Sequence, residues 1–309
     1  IGNGAMGQRA NFEEDFSGKT FKGSYIGGIY YPDKTKVGWW KNGYPEYFAK
    51  VINAPNWIGI SIFIDGIPLD LNKVDKIEKF ERKLDMKNGL YERSISISTN
   101  NNLKVEIDSK RFISMKRKHI GVISYNIKCS RDVKITLSPY IDFDVSNDDS
   151  NWDEKFWETT EKINTLNKSL VKSKVKKTGF KVITYMKADL YDNNVKLEKP
   201  FIAKLDSKKI LLESEHKLNK GNTLKLVKFG GYVTSKCNEW NKIENKANEV
   251  LNFLENTSFE SLYQEHKLEW AKIWEQSDIK IIGDNKSQQA IRFNIFQLNQ
   301  LTEVTTQPK

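Results

Sequence analysis

Between Tyr25 and Cys237 the sequence alternates apolar and polar residues in short runs, each ended by a turn signal. The stretch WIGISIFIDGIPLDL places Ile58, Ile60, Ile62 and Ile64 on one face and then turns at Asp65-Gly66, a type I′ hairpin signature. YERSISISTNNNLKVEIDSKRFISM repeats the pattern, with Ile95 and Ile97 before an Asn-rich turn and Leu103, Val105 and Ile107 after it. HIGVISYNIKC, RDVKITLSPYIDFDV, the GFKVITYMKADLYDNNVKLEKPFIAKL pair and SKKILLESEHKLNKGNTLKLVKFGGYVTS continue the series. Period-2 alternation puts one face of each strand in a core, and hairpin turns join neighbours without crossover helices. The expected fold from Tyr25 to Cys237 is therefore mainly β, a large antiparallel β-sandwich.

After Cys237 the period changes. In NEWNKIENKANEVLNFLENTS, Trp240, Ile243, Ala247, Val250, Leu251 and Leu254 follow helical spacing. A second helix carries the stripe Phe259, Leu262, Tyr263, His266, Trp270, Ile273 and Trp274, with Thr257 and Glu260 spaced as a capping box. SDIKIIGDNK reads as a short extended segment. SQQAIRFNIFQLNQL then opens a third helix with Ile291, Ile295 and Leu298 on one side and Phe293 and Phe296 beside them. A helix this apolar is expected to belong to a helical core that continues past the end of this chain.

The opening residues, GNGAMG, satisfy the G-x-G-x-x-G pattern of dinucleotide-binding loops at Gly2, Gly4 and Gly7. That loop needs a strand before it and a helix after it, whose N-terminus faces the pyrophosphate. One residue precedes Gly2, and QRANFEEDFSGKTFKG is too polar and too soon broken by Gly18 for the helix. The glycines instead predict a turn with positive φ that brings Arg9 and Glu13 against neighbouring structure.

Other candidate sites are weaker. The formal net charge is +10, but 50 basic residues stand among 40 acidic ones. The densest run carries Lys168, Lys172, Lys174, Lys176, Lys177 and Lys181 without Arg or interleaved stacking aromatics, so a solvated strand face is expected and nucleic acid is not. Asp142, Asp144, Asp148, Asp149 and Asp153 cluster without the glycine and final glutamate of an EF-hand, and predict an acidic loop. His119, His216 and His266 lack metal-ligand spacing, and His266 falls on an apolar helix stripe. Cys129 and Cys237 do not form a C-x-x-C pair, as expected of a cytoplasmic protein. No segment reaches the roughly 18 apolar residues of a membrane span. The aromatic stretch GWWKNGYPEYFAKVINAPNW offers Trp39, Trp40, Tyr44, Tyr47 and Trp57 as candidates for stacking on a sugar or for docking another part of the polypeptide.

Taken in order, GNGAMGQRANFEE, GGIYY, WWKNGYPEYFAKVINAPNW, IDGIPLDL, LDMKNGLYER, RFISM, NWDEKFW and QQAIRFNIFQL resemble the amino-terminal part of glycoside hydrolase family 65, the inverting disaccharide phosphorylases. NGYPEYFAKV and NAPNW are most similar to the maltose-cleaving members; those acting on kojibiose, trehalose and nigerose share much of this half. The resemblance implies a galactose-mutarotase-like supersandwich over 1–237, a helical linker over 238–276 and the first helix of a catalytic α/α toroid within 277–309. It further implies a homodimer that uses inorganic phosphate as co-substrate and no cofactor. An acid in the toroid would protonate the glycosidic oxygen while phosphate attacks the anomeric carbon from the opposite face. No catalytic residue is implied in this chain, which alone would be inactive. A stand-alone carbohydrate-binding module is the alternative.

Overall fold

The structure, a computed structural model, describes residues 1–36, 43–99, 102–150, 154–166, 168–235 and 239–301. The strands begin with β1 (Met6–Gln8), β2 (Ser24–Ile26), β3 (Tyr30–Lys34), β4 (Tyr47–Val51), β5 (Ile60–Ile64), β6 (Ile67–Pro68), β7 (Lys76–Asp85), β8 (Leu90–Ser98) and β9 (Lys104–Ile113). They continue with β10 (Gly121–Cys129), β11 (Val133–Asp142), β12 (Trp157–Asn164), β13 (Ser169–Val175), β14 (Lys181–Asp192) and β15 (Val195–Lys196). Strands β16 (Ile202–Leu205), β17 (Lys209–Leu218) and β18 (Leu224–Ser235) precede helices α1 (Trp240–Glu255), α2 (Phe259–Ser277) and α3 (Asn285–Leu301).

Two antiparallel sheets face each other. One has nine strands in the order β12-β13-β14-β18-β10-β9-β8-β7 with β15 paired to the end of β14; the other runs β16-β17-β11-β5-β6. The turns have the expected chemistry. Asp65 and Gly66 both have positive φ and join β5 to β6 in a two-residue loop, and Asn193 and Asn194 do the same between β14 and β15.

Register makes the core. Ile95 lies opposite Ile107 and Ile97 opposite Val105, and Ile107 is in turn opposite Ile127, so one row of branched side chains crosses β8, β9 and β10. These pack against Ile60, Ile62, Ile135, Leu137, Ile210 and Leu212 of the smaller sheet. Trp57 lies fully buried, and glycine makes room for it. A Cβ at Gly121 would stand 2.4 Å from its ring, and one at Gly230 2.5 Å.

The nine-stranded sheet is buried on its second face as well. Phe112, Val122, Ile183, Val227 and Phe229 point away from the sandwich and meet Ile243, Ala247, Leu251, Leu254 and Leu262 of α1 and α2. Burial on both faces explains why β10 reads as a nearly continuous apolar run. The edge strand β7, KIEKFERKLD, is charged and largely exposed and carries a register shift between Ile77 and Lys79, features that discourage pairing with another chain.

The helices follow the expected stripes with two differences. The cap of α2 is Ser258 with Ser261, not Thr257 with Glu260: the Ser258 hydroxyl accepts from the Ser261 N–H, while Thr257 Oγ1 donates back to Phe253 O. In α3, Ile295 and Phe296 are buried, Phe296 against Trp270 of α2, but Leu298 and Phe293 are exposed. SDIKIIGDNK passes from the end of α2 to α3 without joining a sheet.

His266 docks α2. Its Nδ1 accepts the Met115 N–H at 3.1 Å, its Nε2 stands 3.2 Å from Gly89 O, and its ring stacks on Phe112 at 4.7 Å. Burial lowers its pKa from 6.5 to about 4. The folded pKa lies below the unfolded one, so the unfolded chain takes up the proton first as pH falls. His266 therefore contributes full stability above about pH 6.5 and loses up to about 3 kcal/mol of it between there and pH 4. Urea titrations at pH 7 and pH 4.5 should show a smaller acid loss in His266→Gln than in the unaltered chain; equal losses would refute this assignment.

Candidate functional site

The N-terminal segment crosses the end of the sandwich and inserts two adjacent carboxylates between the sheets. The strand register prepares their partners. Arg93, Ser109 and Tyr125 stand directly opposite one another on β8, β9 and β10, and Arg111 stands one row on, opposite Tyr91 and Ile123. All lie on the inward face, in line with Ile95, Ile107 and Ile127. Arg93 Nη2 reaches Glu13 Oε2 at 2.6 Å and both oxygens of Glu14 at 2.7 Å; Arg111 Nη1 lies 3.0 Å from Glu13 Oε1. Tyr125 donates to Glu14 Oε1, and Arg111 Nη2 donates to Arg9 O and Asn11 O at 3.1 and 3.3 Å.

The side chains of all three ion pairs are fully excluded from solvent. Two guanidiniums balance two carboxylates, the condition for keeping such charges buried. Burial alone would raise the Glu13 pKa, but the Arg93 and Arg111 charges outweigh it and hold the carboxyl below its ordinary range. Burial and the Glu14 charge together push the Tyr125 phenol well up. An inverting hydrolytic pair needs one protonated acid and a second carboxylate with room between them for the attacking group. Glu13 and Glu14 are both held by Arg93, an arrangement that fixes the N-terminal segment to the sheet.

The glycine turn is the start of the same segment. Gly4 has φ +83°, Asn3 Oδ1 accepts the Ala5 and Met6 N–H groups, and Asn3 Nδ2 donates to Ser114 O and Lys118 O. β1 begins at Met6, within the motif, and leads to β2 rather than to a helix, which removes the phosphate-binding geometry. The turn instead holds α3: Gly2 N–H donates to Gln300 Oε1 at 2.5 Å and Gly4 N–H to Gln300 O at 2.7 Å. The latter satisfies a carbonyl in the last helical turn that has no partner within the helix. Arg9 lies over the Tyr25 ring at 5.5 Å, while Glu13 joins the buried cluster.

Beside this segment runs a cleft. Its inner part, ≈ 290 Å³, is bounded by Glu14, Asp15, Tyr140 and Asn56; its outer part, ≈ 660 Å³, lies between Phe21, Tyr25 and Phe48. Lys22, Asn53 and Asp148 border both parts. Tyr140 donates to Asp15 Oδ1 at 2.8 Å.

Among the described residues, the candidate aromatics Tyr44, Tyr47 and Trp57 do not come together as one platform. Tyr44 and Tyr47 are exposed at the start of the β4 arm, Trp57 is fully buried in the core, and Trp39 and Trp40 lie outside the described residues. Trp57 is therefore withdrawn from any ligand; the run of aromatic letters hid a core residue among surface ones. Residues missed in the sequence are Glu14, Arg93, Arg111 and Tyr125. Their signal was present, since Arg93 and Arg111 occupy apolar register positions in otherwise alternating strands.

The remaining candidates have structural partners. Asp142 Oδ1 accepts the Asp144 N–H, Asp144 pairs with Lys155 and Lys208, and Asp149 approaches Lys50; Asp153 lies outside the described residues. Among the described residues no group of three or more His, Cys, Asp or Glu side chains could hold a metal ion. His119 Nδ1 lies 3.0 Å from Tyr232 O and His216 Nε2 3.0 Å from Asp192 Oδ2. Lys172 pairs with Glu161 and Glu244, tying β13 to β12 and α1. Cys129 is buried, its thiol pushed up to about 12 by desolvation; Cys237 lies outside the described residues. No described helix is long and apolar enough to cross a membrane.

Removing one partner of the buried cluster strands the others. Arg93→Ala should cost about 3–5 kcal/mol of unfolding free energy. Arg93→Met combined with Glu14→Gln should recover part of it, because one positive and one negative charge leave together. Chemical denaturation of these proteins and of the Arg93→Met and Glu14→Gln single variants tests this; additive losses would mean the pair does not act as a unit.

Comparison with known proteins places these features. Residues 1–273 match the profile of the glycosyl hydrolase family 65 N-terminal domain. Maltose phosphorylase from Bacillus subtilis is 38% identical over 96% of this chain and 39% of its own length. Alpha,alpha-trehalose phosphorylase from Thermoanaerobacter brockii is 31% identical over 97% of this chain and 40% of its own length. A solved structure whose description names a kojibiose phosphorylase from the human microbiome superposes with a TM-score of 0.84 at 26% identity, covering 97% of this chain and 38% of that one. The chain thus spans about two fifths of the length of these relatives.

Proposed function

Because this chain belongs to glycoside hydrolase family 65, we propose that it is the amino-terminal, structural part of an inverting disaccharide phosphorylase that converts maltose and phosphate into glucose and β-glucose 1-phosphate. The choice of maltose rests on the higher identity to a maltose phosphorylase, 38%, than to the trehalose, nigerose and kojibiose enzymes at 31%, 26% and 27%. In this reading 1–237 is the sandwich domain, 238–276 the linker and 277–309 the entry to the catalytic toroid.

The observation that carries this role is the state of α3. The helix is held by the N-terminal turn through Gln300 and by α2 through Phe296, whose ring stacks on Trp270 at 4.8 Å. On the other side Leu298 is 62% and Leu301 76% accessible. Ile282, just before it, is 99% accessible. A helix anchored on one side and exposing leucines on the other is a foundation for further helices. A free binding module has no use for it.

The general acid and the phosphate-holding groups then belong to the toroid, and the sandwich sets the position of its first helix. No cofactor enters this chemistry; inorganic phosphate is the second substrate. The full-length enzyme is proposed to be a cytoplasmic homodimer.

Full-length protein incubated with maltose and phosphate should release β-glucose 1-phosphate, read by the anomeric signal in NMR, while this chain alone should release none. Trehalose, kojibiose and nigerose in place of maltose should be cleaved at least about 100-fold more slowly. Turnover by this chain alone, or preference for another disaccharide, would overturn the corresponding part of the reading. Gly4→Val, which places a β-branched side chain at φ +83°, should lower full-length turnover through misplacement of α3 while leaving the circular dichroism of the sandwich intact.

A further inference from the structure

We propose that the cleft between the N-terminal segment and the β3–β4 arm binds a short neutral α-glucan through Phe21, Tyr25 and Phe48. The outer part, ≈ 660 Å³, falls within the range of about 300–1,000 Å³ typical of small-molecule sites. Three rings border it, and two of them are open: Phe21 is 64% and Phe48 39% accessible. Rigid rings set among hydrogen-bonding side chains suit a ligand with apolar faces and polar edges, as a pyranose has.

The walls hold the rings in place. Arg9 lies over Tyr25 at 5.5 Å, and the absence of a side chain at Gly23 leaves room for both, since a Cβ there would meet each within 2.8 Å. Lys50, buried and paired with Asp33 at 2.9 Å, puts its ammonium 5.6 Å from the Phe48 ring centre. The Asn147 amide ties the β4 arm to the acidic loop by donating to Val51 O at 3.0 Å.

Charge decides the ligand class. The inner part carries five carboxylates, Glu14, Asp15, Asp142, Asp144 and Asp148, against Lys22 alone among lysines and arginines. Arg93 neutralises Glu14, Lys209 approaches Asp15, and Lys155 and Lys208 pair with Asp144, while the outer part sets Arg9, Lys22 and Lys50 beside Asp148 and Asp149. The cleft is thus near charge balance, and its oxygens accept hydrogen bonds from hydroxyl groups. The described carboxylates do not assemble a metal site. A neutral polyol with ring faces fits both halves. The choice of an α-glucan rests on the phosphorylase reading above, whereas the aromatic and acidic geometry stands without it.

The test is calorimetric titration, without phosphate, of this chain and of the full-length protein with maltotriose and separately with a lysine-rich peptide. Maltotriose should bind both proteins in the millimolar range, and Phe21→Ala with Phe48→Ala should weaken it at least about tenfold, roughly 1.4 kcal/mol. Both rings are surface residues, and unchanged thermal unfolding of the double variant would establish that its fold is intact. No heat with maltotriose at tens of millimolar, undiminished binding in the variant, or preferential binding of the peptide would each overturn the proposal. Binding to this chain but not to the full-length protein would also overturn it, by showing that the cleft is a covered interface. Phosphorolysis is read in a separate assay, so a failure there leaves the titration result standing.

Discussion

The ion network of Glu13 and Glu14 with Arg93 and Arg111 holds together what the rest of this structure depends on. Charges of this kind are tolerated inside a sandwich only when each finds a partner within hydrogen-bond reach, because the desolvation cost of an unpaired ion exceeds what packing can return. Arg93 and Arg111 are delivered by strands whose other inward residues are apolar, so the two carboxylates must be brought in from elsewhere in the chain. The N-terminal segment brings them. Once it is held there, its neighbours Asn3 and Gly4 reach Ser114 and Gln300, and its continuation through Phe21 and Tyr25 forms one wall of the cleft.

The same segment therefore joins three features that are far apart in sequence: the inner face of β8–β10, the end of α3 and the aromatic cleft. The helices are attached on the opposite side. α1 and α2 cover the outer face of the nine-stranded sheet, and His266 with Trp270 extends that contact toward Phe296. α3 is thus gripped at its end by the N-terminal turn and at its middle by α2. This double attachment fixes the position of α3 relative to the sandwich.

Much of this was legible in the chain. Alternation in strands and the Asp65-Gly66 turn predicted the antiparallel sandwich, because period and turn type are local properties. The stripe from Phe259 to Trp274 predicted a docked helix for the same reason. Capping was read one residue early, since Thr257 and Ser258 are chemically equivalent candidates and the choice depends on where the preceding helix ends. Trp57 was grouped with Tyr44 and Tyr47 on composition. Its burial follows from Gly121 and Gly230, which sit on strands β10 and β18 far along the chain and leave a gap the size of an indole.

By itself the sequence determined the strand-then-helix order, the hairpin turns, the apolar faces and the lack of a helix directly after the opening glycines, all set by neighbouring residues. Tertiary structure alone decided that Arg93 and Arg111 meet Glu13 and Glu14, that the glycine turn closes on Gln300, and that Phe21 faces Phe48 across a cleft. Each of these joins segments separated by tens to hundreds of residues, and their placement follows from sheet register. Shifting a strand by a single residue would carry its charges to the opposite face.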